Sequence, residues 1–327
     1  MQSQIDEAMG TYNRVLEIEP NNKVALSNIA LLTYRMGNKD EAFGMLSKLA
    51  EDTAKDNYLV HKYLGIILLE KGKTDDAIEK FMKTVDLNPN DADGYVNLGV
   101  CFHKLKNYGR AVQEYIKAIE IDPVNLSALK NLALLYYDAD QIEDSIEMYE
   151  RILELEPDNK TILKSLGNAY RRVGESQKAI DKYQEHLAAK PDDLDALLNI
   201  GVSLYEKGQL VKAIEIFNDI MIRDKNYSAA CYLYLSKTYH KNGQFQKAFD
   251  TAKKSVHANP HSVEGFIQYG KAAMDIKNYS KAIGCFRSVL EDLDPDNSYA
   301  DTLMKTSMKK YEELHGRSYE DIGDVWM

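Results

Sequence analysis

The sequence is short of residues that break helices. Seven prolines and 18 glycines in 327 residues come to under 8% of the chain, against an average of about 12%. An all-β fold spends Gly and Pro on its turns, so their scarcity excludes one and favours long helices. Cysteine is scarce as well: Cys101, Cys231 and Cys285 are odd in number and far apart. They supply no disulfide framework and suit a reducing, intracellular, cytoplasmic setting. Lys and Arg fall short of Asp and Glu, 41 against 51. The resulting charge of −10 runs against a general nucleic-acid binder, which needs a basic footprint. The longest apolar runs, such as Leu64 to Leu69, stop far below the ~18 residues of a membrane span. The first residues lack the basic and apolar regions of a secretory signal. What is present is 44% hydrophobic residues, enough for a core.

The few prolines keep time. They stand at 20, 89, 123, 157, 191, 260 and 295, at intervals of 69, 34, 34, 34, 69 and 35. Two prolines of a 34-residue series are therefore missing, one near Ala54 and one at Lys225. A fixed period of this length marks a repeat architecture. In this register the chain divides into 23–56, 58–91, 92–125, 126–159, 160–193, 194–227, 229–262 and 263–296, with single extra residues at 57 and 228. Residues 1–22 match only the second half of a repeat. Residues 297–316 carry Tyr299, Leu303, Met304, Met308, Tyr311 and Leu314 at helical spacing and are expected to cap the last repeat. Residues 317–327 form an acidic, aromatic tail with the one tryptophan, Trp326, which folds back on the array or docks elsewhere. The steady period predicts one continuous array without a domain boundary.

Three columns support the register. The eighth position is always small: Ala30, Gly65, Gly99, Ala133, Gly167, Gly201, Ser236, Gly270. The twentieth is Ala42, Ala77, Ala111, Ser145, Ala179, Ala213, Ala248, Ala282. The twenty-fourth is large in all but one repeat: Leu46, Phe81, Tyr115, Tyr149, Tyr183, Phe217, Ala252, Phe286. Helices approach closely only where both present small side chains, and a bulky neighbour fills the gap beside them. Each unit holds two segments with apolar residues at i, i+3, i+4 and i+7. In 92–125, Tyr95, Leu98, Gly99 and Phe102 share a face of the first helix, and Ala111, Tyr115, Ala118 and Ile119 a face of the second. Pro123 ends the second helix.

At these columns the chain resembles a tetratricopeptide repeat protein over residues 1–296. The resemblance implies an all-α fold, a right-handed superhelical solenoid of antiparallel helix pairs. It also implies a concave groove, lined by the first helix of each pair (helix A), that binds a peptide or partner segment. A repeat cannot bury its apolar face alone. The half-repeat at Met1 is therefore expected to belong to a longer parent chain or to lie under a partner.

The resemblance places positions 2, 5, 6, 9, 12 and 13 of helix A in the groove. Position 6 reads Asn28, Tyr63, Asn97, Asn131, Ser165, Asn199, Tyr234 and Gln268. Asparagine is a poor helix former, so this column suggests a ladder of amides that pairs with the backbone of an extended peptide. It is similar to the asparagine ladder of the O-GlcNAc transferase superhelix. The alternative is that these amides bond to neighbouring helices or water. Basic residues cluster on the same face: Lys164, Arg171 and Arg172 beside Asn168, then Lys237, His240 and Lys241, then Lys271. They suit an acidic partner segment, or else a solvated helix face with charges paired to Glu206 or Asp195. Lys164, Asn168 and Asn199 match the first three positions of the dicarboxylate clamp of chaperone-binding tetratricopeptide domains. Ala230 and Tyr234 hold its last two positions and offer no cation.

No phosphate-binding Gly-rich loop, zinc-protease His-Glu pair or Cys-x-x-Cys occurs. Pro260 interrupts the helix between His257 and His261, so no metal pair is read there. No cofactor, metal or catalytic residue is expected. The leading expectation is a non-catalytic scaffold or adaptor that binds a protein or peptide partner, acidic or extended, within a larger assembly or homo-oligomer. Nucleic acid and membrane insertion are not expected. The competing expectations are the substrate-recruiting arm of a larger enzyme such as an O-GlcNAc-type glycosyltransferase, and a chaperone adaptor. Ciliary, cell-cycle and secretion complexes all use such arrays, so the expected compartments beside the cytoplasm include the cilium and the nucleus.

Overall fold

The computed structural model describes residues 2–53, 56–316 and 318–319. The vacant proline slot at Ala54 and the tail around Trp326 lie outside these residues. The described residues form 18 α-helices and no strand. Contact density divides the chain into two compact units, 1–159 and 160–327.

In the first unit, Gln2–Ile18 stands alone and four helix pairs follow. The helices A are Lys23–Arg35, Tyr58–Glu70, Ala92–Lys104 and Leu126–Asp138. The helices B begin with Lys39–Lys48 and continue with Thr74–Leu87, Tyr108–Ile121 and Ile142–Leu155. The second unit repeats the plan. Its helices A are Lys160–Arg172, Leu194–Glu206, Ser228–Lys241 and Val263–Asp275. Its helices B are Ser176–Ala189, Leu210–Arg223, Phe245–Ala258 and Tyr279–Ser288. Short polar residues start the helices A: Asn22 accepts from the amide of Ala25, Asn125 from Ala128 and Asp193 from Ala196, each at 3.0 Å. Helix A ends in a left-handed residue, glycine in five repeats, but Lys106, Asp140 and Lys277 in the others, at φ near +60°.

The small and large columns meet inside the pairs that carry glycine. A Cβ added at Gly65 would meet the Phe81 ring at 2.6 Å, one at Gly167 the Tyr183 ring at 2.7 Å, and one at Gly201 the Phe217 ring at 2.6 Å. The glycines are thus the floor on which the rings lie, and those rings are fully buried. Within each unit, helix A of one repeat touches helix A of the next. Among the described residues of each unit, helices B of successive repeats stand further apart, leaving grooves such as those beside Ile116 and Ile216.

The extra residues are absorbed inside helices. Lys39–Lys48 runs on as the π-turn Leu49–Thr53, and Asn57 then caps the next helix. The interval of 35 residues before Pro295 has the same origin, the π-turn Val289–Leu293, closed by the Asp294 amide donating to the Val289 carbonyl at 2.7 Å. A π-turn holds one residue more than an α-turn. Near residue 228 the solution differs. Lys225–Tyr227 form a single 3-10 turn, and helix A starts at Ser228 with 14 residues where the other helices A have 13.

Ser298–His315 packs on the last repeat through buried Ala300, Ser307 and Tyr311. Leu303 and Met304 lie against Ala273, Ala282 and Phe286. Tyr319 meets Tyr311 edge-on at 5.2 Å.

Candidate functional site

In the first unit the sixth-position amides lie half-exposed on the helix A faces. Asn28 donates to the Val24 carbonyl at 2.8 Å and Asn131 to that of Ser127 at 2.9 Å, each one turn back in its own helix. Those bonds use one amide hydrogen each and fix the rotamer. Asn97 makes no hydrogen bond among the described residues. Tyr63, in the same column, packs edge-on against Tyr34 at 5.3 Å. One turn further on, Leu31, Ile66, Val100 and Leu134 make an aliphatic row, which the sequence reading passed over because its spacing matches that of the core. Leu134 is 45% exposed and Ile66 and Val100 are half-buried, whereas Leu31 belongs to the core. The available signal was an aliphatic side chain three residues after each member of the sixth-position column.

In the second unit the polar side chains of this face are engaged with one another. Asn168 Oδ1 accepts from the Tyr183 hydroxyl at 2.7 Å and from Asn199 Nδ2 at 3.1 Å. Lys164 lies 2.9 Å from both Asp193 oxygens and 3.7 Å from Asp195. Arg171 pairs with Glu206 at 3.1 Å, while Arg172 is exposed. Lys237 pairs with Glu264, and its ammonium sits 4.9 Å from the Tyr234 ring centre. Lys241 donates to the Tyr205 carbonyl at 3.0 Å and covers the Tyr205 ring. His240 and Asp275 lie 2.7 Å apart. The pairs with Glu206 and Asp195 are present in this structure, and Asp193, Glu264 and Asp275 pair with the same basic cluster. Tyr234 stacks on Phe217 at 5.7 Å.

Reactive chemistry is subdued. The three cysteines are buried, and burial pushes each thiol up to about 12, away from the thiolate a nucleophile needs. Among the described residues no three His, Cys, Asp or Glu side chains gather as a metal site. None of the described helices is long and apolar enough to cross a membrane.

The tetratricopeptide repeat family model matches residues 27–92, 64–125, 130–193 and 165–229. The chain belongs to the tetratricopeptide repeat family. The model of the anaphase-promoting complex, cyclosome, subunit 3 also matches residues 206–289. Similar solved structures include a tetratricopeptide repeat protein from Parabacteroides merdae, 18% identical with a TM-score of 0.59, over 77% of this chain and 98% of that one. Another is the APC/C hetero-tetramer Cut9–Hcn1, 19% identical with a TM-score of 0.52, over 90% of this chain and 56% of that one. These likenesses show the tetratricopeptide fold. No curated protein matches the chain significantly.

Proposed function

We propose that this tetratricopeptide repeat chain is a non-catalytic interaction scaffold. It holds an extended partner segment along the helix A faces of residues 23–138, as one subunit of a larger assembly. The observation that carries this reading is the double row in the first unit: Asn28, Asn97 and Asn131 beside Ile66, Val100 and Leu134. Amides offer donors and an acceptor to a peptide backbone, while aliphatic side chains take up the alternate residues of an extended strand. The basic residues of the second unit hold successive repeats together and, when a partner is acidic, add a rim. Membership of an assembly draws support from the similarity of residues 206–289 to a complex subunit.

The test is a pull-down read by mass spectrometry, comparing wild type with an Asn97→Ala/Asn131→Ala variant, followed by hydrogen exchange with the recovered partner. The expected result is loss of the partner from the variant and protection on Tyr58–Glu70, Ala92–Lys104 and Leu126–Asp138. Protection confined to helices B would sink the proposal.

A further inference from the structure

The net charge belongs almost wholly to one half of the chain. Residues 1–159 hold 17 Lys and Arg against 28 Asp and Glu, whereas residues 160–327 hold 24 against 23. Part of the excess lies on one helix, Ile142–Leu155, which carries Glu143, Asp144, Glu147, Glu150 and Glu154 against the single Arg151.

That helix borders a groove of about 460 Å³, whose other wall is Tyr108–Ile121 and whose floor is Leu126–Asp138. Ile116, Ile119, Leu132 and Met148 line it with apolar surface, and Ile116 is 38% exposed. Glu120, Asp144 and Glu147 stand on its rim, all exposed. None of the three forms an ion pair among the described residues. Among the described residues that line it, the one cation is Arg151, which is turned to the Pro123 carbonyl at 3.2 Å. Burial, and then the fields of Asp144 and Glu147, push the phenol of Tyr136, which also lines the groove, upward.

The second unit contains the same groove with different chemistry. Between Ser176–Ala189 and Leu210–Arg223 lies a cavity of about 410 Å³, lined by Ile180, Ile200, Leu204 and Ile216. Its rim is Gln177, Gln184 and Gln209, with Lys212 offsetting Glu215. Lys212 holds the repeat position that Asp144 holds in the first unit. The fold therefore accepts lysine there, and the acidic rim is not a requirement of packing.

We propose that the groove between Tyr108–Ile121 and Ile142–Leu155 docks a basic segment of a partner protein. An aliphatic side chain of that segment fills the floor at Ile116, Ile119 and Met148. Lysine or arginine residues on either side of it meet Glu120, Asp144 and Glu147. An apolar centre with a charged rim is the usual anatomy of an interface, and complementary charge sets partner choice and encounter rate. The groove shares no lining residue with the proposed helix A rows, so the two are mutated independently.

The test uses the full chain and a fluorescein-labelled peptide, Lys-Arg-Leu-Ile-Lys-Arg, with fluorescence anisotropy at low salt. The expected result is saturable binding that weakens about tenfold in Asp144→Lys, the order of one lost charge contact, and hydrogen-exchange protection on the two walls. Glu17→Lys changes the net charge of the same unit equally and is expected to leave binding unchanged. A peptide with Gln for each Lys and Arg is expected to fail. The proposal is overturned if Glu17→Lys weakens binding as much as Asp144→Lys, if the Gln peptide binds as well, or if protection falls elsewhere.

Discussion

Lys164 and Asp193 tie two repeats together: the lysine ammonium of one helix A lies 2.9 Å from both oxygens of the carboxylate that caps the next. The same carboxylate lies 2.9 Å from His186 Nε2, while His186 Nδ1 sits 2.6 Å from the Lys160 carbonyl. Burial raises the affinity of Asp193 for a proton, but the lysine, the Ala196 amide and His186 outweigh it and hold the carboxyl at about 2.

A pH prediction follows from the sign of that shift. A carboxylate depressed below its unfolded value near ~3.9 adds stability that is complete above that pH and is lost as pH falls toward the folded value. Asp193→Asn is expected to lower Tm at pH 7 and to flatten the fall in stability between pH ~4 and ~2. Calorimetry across that window checks it, and an unchanged acid limb would count against the assignment.

Tyr115 and Tyr183 fill the same column with opposite accounts. The Tyr183 hydroxyl donates to Asn168, whereas the Tyr115 hydroxyl is buried with no partner among the described residues. Tyr183→Phe is expected to cost about 1 kcal/mol, and Tyr115→Phe to be neutral or stabilising by a similar amount. Urea unfolding of the two variants decides the order; the reverse order would refute it.

Glycine is needed at some helical positions and idle at others. Gly167→Ala drives a methyl into the Tyr183 ring and is expected to cost about 1–3 kcal/mol. Gly109 lies in a helix with nothing within 4 Å of an added Cβ, so Gly109→Ala is expected to gain up to ~1 kcal/mol. Thermal melts of both variants supply the comparison.

Deletion of Leu290 removes the surplus residue of a π-turn and returns the helix to α geometry. Deletion of Glu114 instead turns the rest of Tyr108–Ile121 by about 100° and takes Ala118 out of the core. The first deletion is expected to leave a cooperative melt near the wild-type midpoint and the second to abolish it. Equal damage from both would contradict the role given to the π-turn.

The repeats and their ring-on-glycine contacts were legible in the sequence because burial dictates side-chain size, and size recurs at a fixed period. The ion pairs were harder. Lys164 and Asp193 are 29 residues apart, and Arg171 and Glu206 are 35 apart, so no local pattern joins them. Only the column alignment brings such residues together, and it anticipated Glu206 and Asp195 but not Asp193. The aliphatic row of Ile66, Val100 and Leu134 was hidden for another reason. Periodicity tells which side chains share a face, not which face the neighbouring helix leaves open. Nor does proline spacing distinguish an extra residue in a loop from one inside a helix, since it counts residues and not hydrogen bonds.

Because Leu49–Thr53 and Val289–Leu293 take up their surplus within helix B, the caps that start the next helices, Asn57 and Asn297, keep their places. A codon inserted at such a point changes the length of one repeat without passing the error to its neighbour. The gene can therefore lengthen a repeat by one residue at a time while each later repeat still begins in step.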